Sequence, residues 1–237
     1  MNRGHAGAAP TPRRVRSFVL RGGRLTPAQQ RGLEQGWSRW GIDFDGTGLD
    51  LDALFGAAGE RVLEIGFGMG QSLLAMAAAA PAQQFIGVEV HRPGVGKLLD
   101  AIDKAGIRNI RVLCHDAVEV LEHGFAPSSL ARINIYFPDP WHKKRHHKRR
   151  LIQPPIAELL ASRLRQGALL HLATDWEPYA EHMLAVLDGC PALENCAGAG
   201  RYSPRPPERP QTRFEARGMR LGHGVRDLLY RRRTGGP

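Results

Sequence analysis

The sequence predicts an α/β fold, with a mostly parallel sheet and helices on both faces. Three observations carry that expectation. Short apolar runs rich in β-branched residues recur at 62–65, 85–90, 110–114, 133–137 and 168–174. Segments of helical spacing, at 70–80, 94–105 and 151–164, stand between them. Glycines and carboxylates follow directly after the apolar runs, at the end of a parallel sheet where ligands bind.

The elements follow in order along the chain. Residues 1–24 are basic and rich in Gly and Pro, with Arg13, Arg14, Arg16, Arg21 and Arg24 among small residues, and read as a flexible arm. Thr26-Pro27 reads as an N-cap followed by proline at the first helical position, opening a helix toward Trp40. The first strand runs into Glu64-Ile65-Gly66-Phe67-Gly68-Met69-Gly70, where glycines let the backbone turn sharply and approach a ligand. The second strand ends in Glu89, nineteen residues after Gly70, a distance at which a carboxylate reaches ribose hydroxyls. Asp116 lies just beyond the third strand, the third strand end in succession to carry a carboxylate. The spacing argues against a nicotinamide site, because Gln71 occupies the last glycine position of G-x-G-x-x-G counted from Gly66.

After the fourth strand comes Phe137-Pro138-Asp139-Pro140-Trp141, then six Lys or Arg and three His within nine residues. Two prolines restrict the backbone on either side of Asp139 and hold it in a fixed direction at the mouth of the sheet. The basic run suits phosphate contacts, and Trp141 either stacks on a base or packs beneath the loop. The fifth strand ends at Thr174-Asp175-Trp176, where Asp175 caps the next helix or meets substrate. His171, Trp176 and Trp37 read as packing residues, and 228–233 as a last strand with an arginine-rich end.

At 237 residues the chain has room for one large domain, and no second boundary is visible, so 25–237 is expected to form a single domain. Its 33 Lys+Arg against 23 Asp+Glu give a net charge of +10, which favours a polyanionic partner. The N-terminus lacks the apolar run of a signal peptide, and the most apolar stretch, 73–80, is too short to span a bilayer. A soluble cytoplasmic protein with no membrane contact is expected. Cys114, Cys190 and Cys196 form no disulfide framework or zinc motif and read as small buried residues, and no metal is expected.

From about Arg16 onward the chain resembles the bacterial tRNA (guanine-N7)-methyltransferase family. The resemblance rests on Arg16-Ser17-Phe18-Val19-Leu20-Arg21, the 64–70 loop, and Pro138-Asp139-Pro140-Trp141 with Lys143-Lys144-Arg145-His146. Thr174-Asp175-Trp176 and the stretch Arg209-Pro210-Gln211-Thr212-Arg213-Phe214-Glu215-Ala216-Arg217-Gly218 complete it. It implies the class I, Rossmann-like fold of S-adenosylmethionine (AdoMet)-dependent methyltransferases, with a mostly parallel seven-stranded sheet. It also implies AdoMet as cofactor, tRNA as partner with no obligatory protein partner, and N7-methylation of a variable-loop guanine, conventionally position 46. Glu64, Gly66, Gly68, Gly70, Glu89, Asp116 and Asp139 would bind the cofactor, with Asp139 the catalytic position. Lys143, Arg145, Asp175, Thr212, Arg213, Phe214 and Glu215 would bind the substrate.

The chain departs from the family pattern at Arg213, where Lys is frequent, at Gln71, where Glu is common, and at Arg226, where an aromatic is expected. The alternative is an AdoMet-dependent methyltransferase acting on another RNA base or RNA class.

Overall fold

A computed structural model describes residues 16–19, 24–211, 215 and 224–235. Eight strands form one sheet: β1 (Gly41–Ile42), β2 (Arg61–Ile65), β3 (Gln84–Val88), β4 (Ile110–Leu113), β5 (Leu130–Tyr136), β6 (Leu164–Thr174), β7 (Leu193–Asn195) and β8 (Arg226–Arg232). Their order is β1-β4-β3-β2-β5-β6-β8-β7. The first six are mutually parallel, and β8 runs antiparallel to both β6 and β7.

Among the described residues the sheet therefore has eight strands rather than seven. Two short ones, β1 and β7, escape a reading based on apolar runs because they span only two and three residues. Gly41–Ile42 forms because the chain leaving Trp40 aligns with the open edge of β4, Gly41 opposite Val112 and Ile42 opposite Leu113.

The helices are α1 (Pro27–Arg31), α2 (Trp37–Trp40), α3 (Leu51–Phe55), α4 (Gln71–Ala79), α5 (Arg92–Ala105), α6 (Ala117–Glu119), α7 (Pro154–Arg163) and α8 (Glu177–Asp188). The expected start at Thr26 is built as a capping box. Its hydroxyl accepts from Gln29 N while the Gln29 side chain accepts from Thr26 N. The expected run to Trp40 is interrupted, because residues 32–36 form a π-turn between α1 and α2.

Strand side chains alternate between two apolar clusters, one on each face of the sheet. Leu63, Ile86, Ile133 and Ile135 point to the cluster with α7 and α8, whereas Val62, Phe85 and Tyr136 point to the one with α4 and α5. Of the cysteines, Cys190 is buried, Cys114 half-buried and Cys196 exposed, so only the first fully meets its expectation. No helix among the described residues is long and apolar enough to cross a membrane.

Candidate active site

Two adjoining cavities lie at the carboxyl ends of β2, β3, β4 and β5. One, of about 410 Å³, is lined by Glu89, Asp116, Asp139 and Phe18 among others. The second, of about 690 Å³, is lined by Glu64, Gly68, Ser72 and Lys97 among others. Gly66, Tyr136 and Phe137 line both and form their common wall. The structure thus gathers Glu64, Glu89, Asp116 and Asp139, four carboxylates spread over 75 positions of sequence, around one continuous hollow.

The glycine loop is left-handed at φ +73° for Gly66, +58° for Gly68 and +75° for Gly70. A Cβ on Gly66 or Gly68 would meet no protein atom within 4 Å and would instead occupy the hollow. At Gly70 a Cβ would lie 2.7 Å from the Leu98 side chain, so this glycine serves packing as well as the turn. Gly70→Ala combines left-handed strain with a clash and should cost at least about 2 kcal/mol. That corresponds to a fall of roughly 4–8 °C in Tm for a chain of this size, measurable by thermal denaturation. An unchanged Tm would rule out the packing described.

Glu89 pins this loop. Its Oε2 accepts from Gly68 N at 2.8 Å, and its Oε1 accepts from Val90 N at 2.7 Å and His91 N at 3.0 Å. Carboxylate oxygens have further lone pairs, so these bonds leave acceptor capacity toward the cavity. Asp116 caps α6 through Val118 N at 2.9 Å and faces the same cavity. Glu64 is different: it is only 2% exposed, and its Oε2 has no hydrogen-bond partner among the described residues. Burial, followed by the nearby charge of Glu89, pushes its pKa up to about 8.

Asp139 is exposed at the mouth. The prolines are not its only restraint, because Phe137 and Trp141 both adopt positive φ, +51° and +48°. Such backbone is costly for large side chains and marks a segment fixed by its surroundings. Phe137 N donates to Ala173 O at 2.7 Å, and Trp141 N donates to Asp139 Oδ1 at 3.0 Å. One Asp139 oxygen is thereby fixed.

The basic run is a 3-10 helix over Lys144–Arg149 rather than an open loop. Arg150 anchors it from a buried position, donating to Pro140 O at 3.0 Å with its guanidinium 4.8 Å from the Tyr179 ring centroid. Lys143 and Arg145 remain exposed beside the mouth. Trp141 packs beneath this segment: Arg149 covers its ring at 4.3 Å, and its indole N–H donates to Ser17 O at 3.1 Å. Arg149 also donates to Arg16 O and Phe18 O, at 3.2 and 3.3 Å, so residues 16–19 are strapped to the basic segment. Ser17, Phe18 and Val19 line the first cavity. Sequence reasoning noted this motif without giving it a role, and missed Tyr136 as a cavity wall.

Asp175 is half-buried and does not cap α8, whose first turn has no side-chain cap. Thr174 Oγ1 accepts from Trp176 N instead, at 3.2 Å. Trp37 and Trp176 pack, as expected; Trp176 meets His142 edge to face at 4.3 Å. Arg226, at the aromatic position, pairs with Glu177 at 3.3 Å and lies 5.7 Å from the Tyr202 ring centroid. Thr212, Arg213 and Phe214 lie outside the described residues. Glu215 is buried and held by Arg209.

Comparison with known proteins bears on this arrangement. A family model described as "Putative methyltransferase" matches residues 59–228. A tRNA (guanine-N(7)-)-methyltransferase of Pseudomonas paraeruginosa is 57% identical over 220 residues, covering 93% of this chain and 90% of that protein. The protein of that name from Stutzerimonas stutzeri is 57% identical over 222 residues, covering 93% of each chain. Among solved structures, the 16S rRNA methyltransferase KamB matches with a TM-score of 0.54 at 17% identity, covering 93% of this chain and 99% of that one. That likeness shows the shared Rossmann-like methyltransferase fold.

Proposed function

We propose that this chain, which belongs to the tRNA (guanine-N7)-methyltransferase family, uses its two adjoining cavities to hold AdoMet against a guanine of tRNA. It transfers a methyl group to N7 of guanine in tRNA, forming N7-methylguanosine. The target we assign is the variable-loop guanine at position 46. The observation that carries the assignment of the site is the buried Glu64 carboxyl, whose Oε2 has no hydrogen-bond partner among the described residues and which ionises only with a partner cation, beside an open glycine cradle. A buried carboxylate of this kind calls for a cation, and AdoMet brings an ammonium with no phosphate to be repelled.

In this reading Glu64 meets the ammonium, while Gly66, Gly68 and Gly70 let the backbone follow the ligand. Glu89 accepts from the ribose hydroxyls and Asp116 lies at the adenine end. AdoMet, when bound, supplies the electrophilic methyl group on its sulfonium. Guanine N7 has an in-plane lone pair and no proton, so no residue has to act as a base toward it. The residues contribute by positioning and charge instead. Asp139 faces the positive charge that develops on the guanine imidazole ring. Lys143, Arg145 and Asp175, with Thr212, Arg213, Phe214 and Glu215, hold the tRNA. The basic arm, 1–24, brings positive charge for RNA to a single domain, 25–237, and its Ser17, Phe18 and Val19 line the first cavity.

Lys143→Ala or Arg145→Ala should weaken tRNA binding and lower the slope of log affinity against log salt by about one. A titration over several salt concentrations measures that slope, and an unchanged slope would remove the residue from the phosphate surface.

The function itself is tested by transfer of labelled methyl from AdoMet to unmodified tRNA transcripts, with chemical cleavage at N7-methylguanine. Label at the variable-loop guanine is the expected result. Label at another base would select the alternative target, and absence of label despite AdoMet binding would overturn the tRNA reading.

A further inference from the structure

On the face of the sheet that carries Glu64, the polar side chains form a continuous buried row. Glu64 on β2 pairs in register with Asn134 on β5, and Asn134 with His171 on β6. One step along, Tyr136 pairs with Ala173, and Ala173 with Asp227 on β8. Asn134, His171 and Asp227 are all buried. A polar row inside a sheet face needs partners, because each unpaired group there is costly.

From Asn134 onward the partners connect, beginning with Arg132 Nε, which donates to Asn134 Oδ1 at 3.0 Å. His171 Nδ1 lies 3.1 Å from the Tyr136 hydroxyl and 3.1 Å from Arg132 Nη2, and its Nε2 lies 2.8 Å from Asp227 Oδ1. Burial, against the pull of Asp227, lowers the His171 pKa, so the neutral ring donates to Asp227 and accepts on its other nitrogen. Burial also opposes charge on Asp227, yet His171 and Arg209 hold its carboxyl below the usual range.

Arg209 closes the row from above. Its side chain is fully buried and forks onto Glu215, with Nη1 to Oε2 at 2.7 Å and Nη2 to Oε1 at 2.9 Å. The same guanidinium reaches Asp227, with Nη2 to Oδ2 at 3.0 Å. Nε lies 2.7 Å from Asp227 Oδ1 without hydrogen-bond alignment and adds a charge contact. Its Cζ is 6.0 Å from the ring centroid of Phe137, the strained residue in the common cavity wall. Arg205 lies 3.7 Å from Glu215, and Glu208 lies 4.0 Å from Arg132.

We propose that Arg209 is a positioning residue that fixes Glu215 to the sheet behind the active site through its fork onto the Glu215 and Asp227 carboxylates. Glu215 then serves tRNA through Arg209 and not by direct contact of its carboxylate with the base. This inference rests on the assignment of residues 212–215 to tRNA. An arginine is needed because only a planar fork spans both carboxylates in fixed geometry, which a lysine ammonium cannot reproduce.

The test uses the full chain with Arg209→Lys, Glu215→Gln and the double variant. Arg209→Lys should lower kcat/KM for tRNA by at least about tenfold, while AdoMet affinity by calorimetry stays within about twofold, a split that general destabilisation would not give. The double variant should be no worse than Arg209→Lys alone, because both changes break one linkage. Multiplying losses would mean that Glu215 acts on the substrate directly and would overturn the proposal. So would wild-type activity in Arg209→Lys, or AdoMet affinity falling in step with turnover.

If Arg209→Lys does not fold, hydrogen exchange on Glu215→Gln carries the test without any substrate. Faster exchange confined to the segment bearing Arg209 and Glu215 supports the anchor, and unchanged exchange overturns it. A wild-type chain that anchors this segment but methylates no tRNA would sink the substrate reading and leave the anchor standing.

Discussion

Asp139→Ala is expected to lower the single-turnover rate on tRNA about a hundred- to a thousandfold, the range for removing one preorganised electrostatic partner of a transition state. AdoMet affinity should change less than about threefold, because the cofactor keeps Glu64, Glu89 and Asp116 as partners. The expectation rests on how Asp139 is held. Its Oδ1 is engaged by Trp141 N, and two positive-φ residues bracket it, so its second oxygen has a fixed direction at the exposed mouth. A carboxylate fixed before the reaction stabilises developing positive charge without reorganising. Asp139→Asn separates the two parts of this role. It retains one side-chain oxygen for Trp141 N and puts a neutral amide group at the mouth in place of the second oxygen, so a loss as deep as that of Ala assigns the effect to that charged oxygen and not to the Trp141 contact. A large loss of AdoMet affinity with turnover preserved at saturation would place Asp139 in the cofactor site alone.

Much of this site was legible in the sequence, for a physical reason. Strand ends of a parallel sheet converge on one edge, so residues directly after apolar runs must meet there. That rule brought together Glu64, Glu89, Asp116 and Asp139, and the Pro-Asp-Pro stretch announced its own rigidity. What escaped the sequence depends on contacts without local periodicity. The edge strand Gly41–Ile42 exists through its pairing with β4. The positive φ of Phe137 and Trp141 has no signature in residue type, because bulky residues adopt it only under tertiary constraint. His171 reads as one polar residue in an apolar strand, and its meaning lies in Asp227 and Arg209, 56 and 38 positions further on. Trp141 shows the same limit. Its aromatic face suits a base, yet in the fold that face is covered by Arg149 and its N–H by Ser17.

AdoMet binding should release most of one proton at pH 7, and its affinity should rise by nearly tenfold per pH unit from pH 6 toward 7 and progressively less as pH approaches 8. The source is Glu64, whose carboxyl is held protonated by burial and by the charge of Glu89, with a pKa of about 8. The sign follows from the free protein. A carboxyl whose folded pKa is raised favours the folded state at low pH, and that contribution declines as pH rises from the ordinary carboxylate value to about 8. Over this same window the cofactor ammonium requires the ionised form, so binding must expel the proton, and the requirement fades as pH approaches 8. Above that the gain ends, since the α-amino group of the ligand itself loses its charge near pH 7.7–8.0. Calorimetry in two buffers of different ionisation enthalpy counts the proton directly, independently of any methyl transfer. Glu64→Gln should abolish the release and flatten the acid limb, at the cost of affinity above pH 8, where the wild-type carboxylate is charged. A wild-type chain that binds AdoMet with no proton release at pH 7 would mean that the ammonium lies elsewhere, and Glu64 would then be a neutral, buried wall of the cavity.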